Sequence, residues 1–168
     1  MLLLLLCFCR IIVAVFLCVL SSAAAPQSVS FWKVSNGVAH TSILLPEAKK
    51  PNTQATLTIE YSIVGGMCRV MVGVAVLSGR EYGTRQGNRI IDDIMTVTIL
   101  GMHQWTAKPL VALYSNGFEA AIPASDQFIN ELKAGSTVHV RSLPNTPTFE
   151  FSLRGSSAAI NKASSTCK

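Results

Sequence analysis

The chain has 168 residues, of which 49% are apolar and 14% charged, and its formal net charge is +5. Its mean hydropathy is +0.41, and the first 24 residues, which are nearly all apolar, account for much of this positive value. The remaining chain has the composition of an ordinary folded domain, which excludes a polytopic membrane protein and a disordered chain. We therefore predict one globular domain over residues 25–168.

The first 24 residues resemble a secretory signal peptide. An almost unbroken apolar run that contains only one charge, Arg10, is followed by small residues and then Pro26. We predict cleavage after Ala24, with Ser22 at −3, because a signal peptidase accepts small residues there and tolerates proline poorly directly after the cut. The mature protein would then be periplasmic or secreted. The alternative is a retained membrane anchor, since no basic residue precedes Arg10 and about 20 apolar residues can span a bilayer.

In the rest of the chain, apolar and polar residues mostly alternate with a period of two, which is typical of half-buried strands. The pattern predicts strands over residues 38–45, 55–61, 67–77, 90–100, 110–114, 118–122, 137–143 and 148–153. The apolar run 67–77 is typical of a central strand covered on both faces. Residues 78–88 and 101–108 are predicted to be exposed connections. Asn116-Gly117 predicts a tight hairpin, because both residues tolerate a positive φ.

Two helices are predicted late in the chain. Ser125 is a suitable N-cap for a helix over residues 126–134, which Gly135 would end. Apolar residues at helical spacing, closing on Cys167, predict a second helix over residues 156–166. The fold class is therefore α+β and mainly β, with an antiparallel sheet or sandwich of about seven to eight strands and two late helices.

Cysteine usage agrees with export. Three of the five cysteines lie within residues 1–24, which leaves Cys68 and Cys167. An even pair in an oxidising compartment predicts a Cys68–Cys167 disulfide, with two buried free thiols as the alternative.

The second half of the chain carries a family resemblance. An Asn-Gly hairpin, a short capped helix, an alternating strand and then Phe149-x-Phe151-x-Leu153-x-Gly155, closing on Cys167, resemble small exported proteins of Gram-negative bacteria. The groups concerned are the invasion-associated locus B-like proteins and the accessory periplasmic proteins of type VI secretion. The resemblance covers roughly residues 108–168, together with Trp32, and this chain has two mature cysteines where those families commonly have more. It implies an exported, non-catalytic sheet domain with envelope or host-contact functions.

Motifs that carry catalytic chemistry are absent from the sequence. It contains no Gly-x-Ser-x-Gly, Walker loop, His-Glu-x2-His or Cys-x2-Cys. The histidines, His40, His103 and His139, lie far apart along the chain, and adjacent strand residues such as Asp92 and Asp93 point to opposite faces. We therefore expect no catalytic residues, no metal and no cofactor.

The candidate partner contacts are Trp105, Arg80, Arg85 and Arg89. The first three lie in the two predicted connections, and Arg89 directly follows the first of them. Trp105 has polar neighbours and could anchor a partner, or it could fold back and cap the core. The basic residues are scattered and not interleaved with aromatics, so nucleic acid is not expected as a partner.

Two functions remain open at this point. The first is a non-catalytic interaction or accessory protein that contacts another envelope or host protein, and a membrane only if residues 1–24 are retained. The second is a small hydrolase or ligand-binding protein with a dispersed site. A pocket that gathers His103, His139 or Asp92 and Asp93 would favour the second.

Overall fold

The computed structural model describes residues 31–45, 52–79, 81–143 and 146–167. Within these ranges the strands are β1 (Lys33–Ser35), β2 (Val38–Leu44), β3 (Thr53–Val64), β4 (Met67–Ser78), β5 (Arg85–Ile90), β6 (Met95–Ile99), β7 (Gln104–Ala107), β8 (Leu110–Tyr114), β9 (Gly117–Pro123), β10 (Thr137–Arg141) and β11 (Phe149–Ser152). The helices are α1 (Asp126–Ala134) and α2 (Ser156–Ser164), and a 3-10 turn (Ser165–Cys167) follows α2. The predicted signal peptide and Arg80 lie outside the described residues.

The strands form two antiparallel sheets. One sheet has seven strands in the order β1-β2-β3-β4-β9-β8-β5, and the other has four in the order β11-β10-β6-β7. Strand β4 is the middle strand of the larger sheet, as its apolar sequence predicts. The predicted fold class, α+β and mainly β with two late helices, is confirmed.

The core lies between the inner faces of the two sheets and the helices. Alternation along β3 turns Leu57 and Ile59 inward, directly opposite Val74 and Val72 of β4. Because alternate residues point to opposite faces, the same strands place their polar residues on the outer face. Buried residues of the other elements complete the core, namely Val97, Val138, Val140, Phe149, Phe151, Phe128, Leu132 and Ile160.

The structure contains more strands than the sequence predicts, and β5 and β7 lie in the two predicted connections. Strand β5 is at the edge of its sheet and its residues 85–89 are exposed, so it needs no apolar alternation. Strand β1 is only three residues long and gives little periodic signal. The predicted strand 90–100 is wrong as one element, because residues 91–94 separate β5 from β6. The outer face of β4 is also partly open, and its first three residues are exposed.

The two Asn-Gly pairs have different roles. Asn36 and Gly37 join β1 to β2 with positive φ values of 48° and 76°, the conformation that favours this pair in hairpins. The predicted hairpin at Asn116-Gly117 is confirmed, but neither residue has a positive φ. Glycine is required at position 117 for another reason, since a β-carbon there would collide with the carbonyl oxygen of Val76.

The C-terminal end of the described chain is tied to the larger sheet. Cys167 forms a disulfide with Cys68, the second residue of β4, and their Cα atoms are 5.5 Å apart. The predicted helix 156–166 ends earlier, at Ser164, and the 3-10 turn brings Cys167 to the sheet. In the part of the chain that the structure describes, no helix has the length and apolarity needed to cross a membrane.

Candidate functional site

The outer face of the seven-stranded sheet carries a groove with a volume of about 890 Å³. Strands β2 and β3 form most of its floor, and the segment between β4 and β5 folds over one side. The lining is mainly polar and aromatic, and comprises Lys33, Ser35, Val38, His40, Ser42, Gln54, Thr56, Thr58, Glu60, Leu77, Tyr82, Tyr114 and Glu119.

Hydroxyl groups form the centre of the floor. The register pairs Ser42 with Thr56 and His40 with Thr58 across β2 and β3. The side-chain oxygens of Ser42 and Thr56 are 2.9 Å apart, so the two hydroxyls share one hydrogen bond. Each hydroxyl can both donate and accept, so the floor retains hydrogen-bonding capacity for a polar ligand.

Two tyrosines and a glutamate form the side of the groove near the edge strand. The rings of Tyr82 and Tyr114 meet edge to face, with centroids 4.7 Å apart and planes at 61°. Both hydroxyls hydrogen-bond to the carboxylate of Glu119 in β9. Burial, followed by the negative charge of Glu119, raises the pKa of both tyrosines, so their hydroxyls stay protonated and act as donors.

Glu119 is half-buried, and its surroundings disfavour the charged form of its carboxylate. Burial raises its pKa most, and the negative charge of Glu60 on the same face raises it further. The hydrogen bonds from the tyrosines and the positive charge of Arg85 lower the pKa, but by less in total. Ionised Glu119 is therefore less stable in the fold than in water, and a ligand that donates hydrogen bonds or brings positive charge would relieve this cost.

The β8–β9 hairpin fixes the segment that carries Tyr82. The amide nitrogen of Asn116 donates to the backbone oxygens of Ser78 and Glu81, at 2.9 and 2.8 Å, and its amide oxygen accepts from the backbone N–H of Gly83 at 2.8 Å. Ser115 accepts at its hydroxyl from the backbone N–H of Thr84, at 3.1 Å. The residues before and after Tyr82 are therefore both anchored, and this holds Tyr82 over the groove.

The predicted arginine contacts are placed at the edge strand. Arg85 lies opposite Tyr114 and faces the groove, where its guanidinium donates to Asn88 at 2.7 Å. Arg89 lies opposite the buried Val111, so it projects from the other face of β5. Arg85 and Arg89 are both exposed, but they do not form one surface.

Trp105 is half-buried in β7 and packs against the core, the second of its two expected positions. Its ring stacks on Phe128 of α1, with centroids 4.9 Å apart, and its indole N–H donates to Glu131 at 3.0 Å. Glu131 also binds Nδ1 of His103 at 2.6 Å. Burial raises the pKa of Glu131, but these contacts and a hydrogen bond from Gln127 together lower it by more. The same contacts join the β6–β7 turn to α1.

The other titratable candidates lie at separate places. His139 projects from the outer face of the smaller sheet and pairs with Glu150 at 3.3 Å, whereas His103 binds α1 on the inner side. Asp92 is exposed and pairs with Lys108 at 2.9 Å. A smaller depression of about 260 Å³ contains His139 but neither His103 nor Asp92. Among the described residues, no three His, Cys, Asp or Glu side chains are grouped so that they could hold a metal.

Sequence reasoning missed the groove residues Tyr82, Tyr114, Glu60 and Glu119. A signal for one of them was present, because Glu119 is a charged residue between the apolar residues Phe118 and Ala120 of a predicted strand. The approach of Tyr82 to Glu119 depends on the path of the chain between β4 and β5, and no local pattern encodes that path.

The fold and the groove define a class of protein: an antiparallel two-sheet α+β domain whose larger sheet has a polar outer face. No protein-family model matches the chain, and no curated protein matches it. Among solved structures, it is similar to the invasion-associated protein B of Bartonella henselae, with a TM-score of 0.46 and 12% sequence identity. The match covers 82% of this chain and 98% of that chain. A weak structural resemblance thus accompanies the resemblance seen in the sequence.

Proposed function

We propose that the chain is an exported, non-catalytic interaction protein that binds a polar segment of another envelope or host protein in the groove of the seven-stranded sheet. The observation that carries the proposal is the combination of Glu119 with Tyr82 and Tyr114 at the side of a hydroxyl-lined floor. Tyrosine supplies rigid apolar contact area with a polar end, which is why it is enriched at binding interfaces.

The electrostatics of Glu119 support a binding role. A carboxylate whose ionised form is disfavoured in the free protein can gain from a partner that donates hydrogen bonds or carries positive charge. The hydrogen bonds from Tyr82 and Tyr114 offset only part of this cost to the fold. Residues retained at a cost to stability are typical of functional sites.

Export is part of the proposal and has separate support. The sequence carries the small-residue cleavage site after Ala24, and the structure contains the Cys68–Cys167 disulfide. Disulfides persist in the periplasm and outside the cell, and they are rare in the cytosol.

A single blocked position tests the groove. Thr56→Arg would fill the centre of the floor, and Thr96→Arg is the matched control, since Thr96 is also a half-buried threonine in a strand, on the outer face of the smaller sheet. The native chain and both variants carry the same photoreactive crosslinker, on an exposed residue beside the groove. We expect Thr56→Arg to lose the crosslinked partner of the native chain at least tenfold, whereas Thr96→Arg keeps it. Equal crosslinking by both variants, with unchanged thermal midpoints, would contradict the proposal.

The second hypothesis, a hydrolase, has its strongest support in the same groove. Glu60 and Glu119 face it together, and a raised carboxyl pKa is the property of a general acid. The Glu119 carboxylate already accepts hydrogen bonds from the two tyrosine hydroxyls. This arrangement favours a role in ligand binding over a role in proton transfer to a substrate. A panel of glycoside and ester substrates separates the two hypotheses, because turnover that disappears in Glu119→Gln would establish an enzyme.

A further inference from the structure

The hairpin between β3 and β4 extends beyond the sheet around it. Strand β2 begins opposite Glu60, and β9 ends opposite Met71. Residues 62–69 therefore lie outside the flanking strands, and at about 3.3 Å per residue they project by roughly 10 Å. We call residues 62–69 the projecting hairpin.

The end of the projecting hairpin is apolar and exposed. Ile63, Val64 and Met67 are 60%, 44% and 63% exposed, and Gly65 and Gly66 form the turn between them with positive φ values. Three large apolar side chains around one turn are unusual on a protein surface, where exposed apolar residues are normally scattered. A partner that removes them from water would gain free energy in proportion to the area buried.

The base of the hairpin is fixed and carries a basic residue. The disulfide joins Cys68, within the hairpin, to Cys167 at the end of the described chain. Arg69 is exposed next to it and has no ion pair among the residues that the structure describes. The tip itself contains no acidic residue, and the formal net charge of the chain is +5, of which Arg10 in residues 1–24 contributes one.

These features together identify the partner by its chemistry. A tip of three side chains is convex and far smaller than the about 800 Å² that each partner buries in a standard protein interface. An apolar tip of this length, with a basic residue behind it, instead matches a bilayer surface, where interfacial apolar faces sink about 5–10 Å into the boundary between headgroups and acyl chains. Anionic headgroups would then attract Arg69.

We propose that the projecting hairpin inserts Ile63, Val64 and Met67 into the surface of an anionic lipid bilayer. This contact uses the end of the molecule at which β3 joins β4, so it does not depend on the groove or on its partner. A single short hairpin gives weak and reversible binding, which would hold the domain near a membrane and leave the groove open. The contact is also independent of whether residues 1–24 remain as an anchor.

The test reports insertion at the tip itself, so that residues 1–24 cannot imitate it. Val64→Trp adds a third tryptophan at the tip, and its signal is the difference from the spectrum of the native chain, which contains Trp32 and Trp105. Leu100→Trp, read in the same way, is the matched control in the β6–β7 turn, where Leu100 is 59% exposed. With vesicles of phosphatidylethanolamine and phosphatidylglycerol, we expect the emission of Val64→Trp to shift to shorter wavelength and to be quenched by brominated lipid chains. We expect neither change for Leu100→Trp, nor for Val64→Trp with purely zwitterionic vesicles.

A second pair of variants measures binding. Ile63→Ser/Met67→Ser should reduce the tip signal in the Val64→Trp background at least tenfold, and Leu100→Ser/Met102→Ser should leave it unchanged. An unshifted Val64→Trp spectrum with anionic vesicles overturns the proposal. It is also overturned if the chain dimerises without lipid and Ile63→Ser/Met67→Ser abolishes the dimer, because a second copy then covers the tip.

Discussion

At the scale of single residues, polar side chains of the outer sheet face differ greatly in what surrounds them. The hydroxyls of Thr56 and Ser42 hydrogen-bond to each other, so their partial burial costs the fold little. Glu119 is different, because burial and Glu60 make its charged form unfavourable. The contrast separates a satisfied pair of hydroxyls from a carboxylate whose burial the tyrosine hydrogen bonds offset only in part.

The Glu119 carboxyl gives a prediction about pH. Its folded pKa lies above the unfolded value, so the stability that it contributes is present at low pH and is lost as pH rises through the folded pKa. At neutral pH, Glu119→Gln should therefore be more stable than the native chain, because glutamine accepts from the tyrosine hydroxyls without carrying charge. The difference in the free energy of unfolding should shrink as pH is lowered towards 4.

Urea unfolding at several pH values between 4 and 7 measures this difference. Glu81→Gln is the control, since Glu81 is an exposed glutamate in the neighbouring segment. A Glu119→Gln variant that is less stable than the native chain at pH 7 would show that the tyrosine hydrogen bonds outweigh burial.

At the scale of elements, sequence patterns predicted the long strands and both helices well. Alternating apolar residues, as in Leu57 and Ile59, and the Ser125 cap are local signals, and the structure shows the cap in place with Phe128 N–H donating to the Ser125 hydroxyl. Strands β5 and β7 were missed because edge strands can be polar on both faces.

The groove was harder to predict than the strands that form its floor. Period-two alternation did reveal polar residues on one face of β3, such as Thr56 and Thr58. Their meeting with Tyr82, Tyr114 and Glu119 requires the strand order, in which β9 lies beside β4 although β5 to β8 separate them along the chain. Strand order depends on tertiary packing, and a single sequence does not display it.

The segment between β4 and β5 gives a prediction at this scale. Asn116→Ala removes three hydrogen bonds to Ser78, Glu81 and Gly83, so residues 81–84 should lose protection and Tyr82 should leave the groove. We expect the free energy of unfolding to fall by about 2 kcal/mol, since each hydrogen bond contributes roughly 0.5–1.5 kcal/mol and water replaces some of them.

Hydrogen exchange of residues 81–84, together with urea unfolding, tests this expectation. Asn88→Ala is the matched control, because Asn88 is exposed and binds only the Arg85 side chain among the described contacts. It should change stability by less than about 0.5 kcal/mol. Unchanged protection of residues 81–84 in Asn116→Ala would mean that contacts of the Tyr82 ring hold the segment.

At the scale of the whole molecule, the two ends of the described chain meet. Helix α2 packs on β1 and β2, and the indole N–H of Trp32 donates to the backbone oxygen of Ser152 at 3.1 Å. The 3-10 turn lies against β3, with Thr166 beside Gly37 in the β1–β2 turn. The first hairpin and the last helix therefore depend on each other for burial, and the Cys68–Cys167 disulfide fixes this arrangement to the base of the projecting hairpin.

The disulfide should accordingly stabilise the molecule strongly. It joins residues 99 positions apart, and in the chain-entropy model a closed loop of about 100 residues is worth up to roughly 4.7 kcal/mol. We expect Cys68→Ser/Cys167→Ser to lower the free energy of unfolding by about 3–4 kcal/mol and to increase hydrogen exchange in α2 and the β1–β2 hairpin before other elements. Reduced native protein is the control and should reproduce both effects, and alkylation followed by mass spectrometry should find no free thiol at either position before reduction. If exchange increased evenly over the molecule, or if the double variant lost less than about 1 kcal/mol, packing of α2 and Trp32 alone would hold the two ends together.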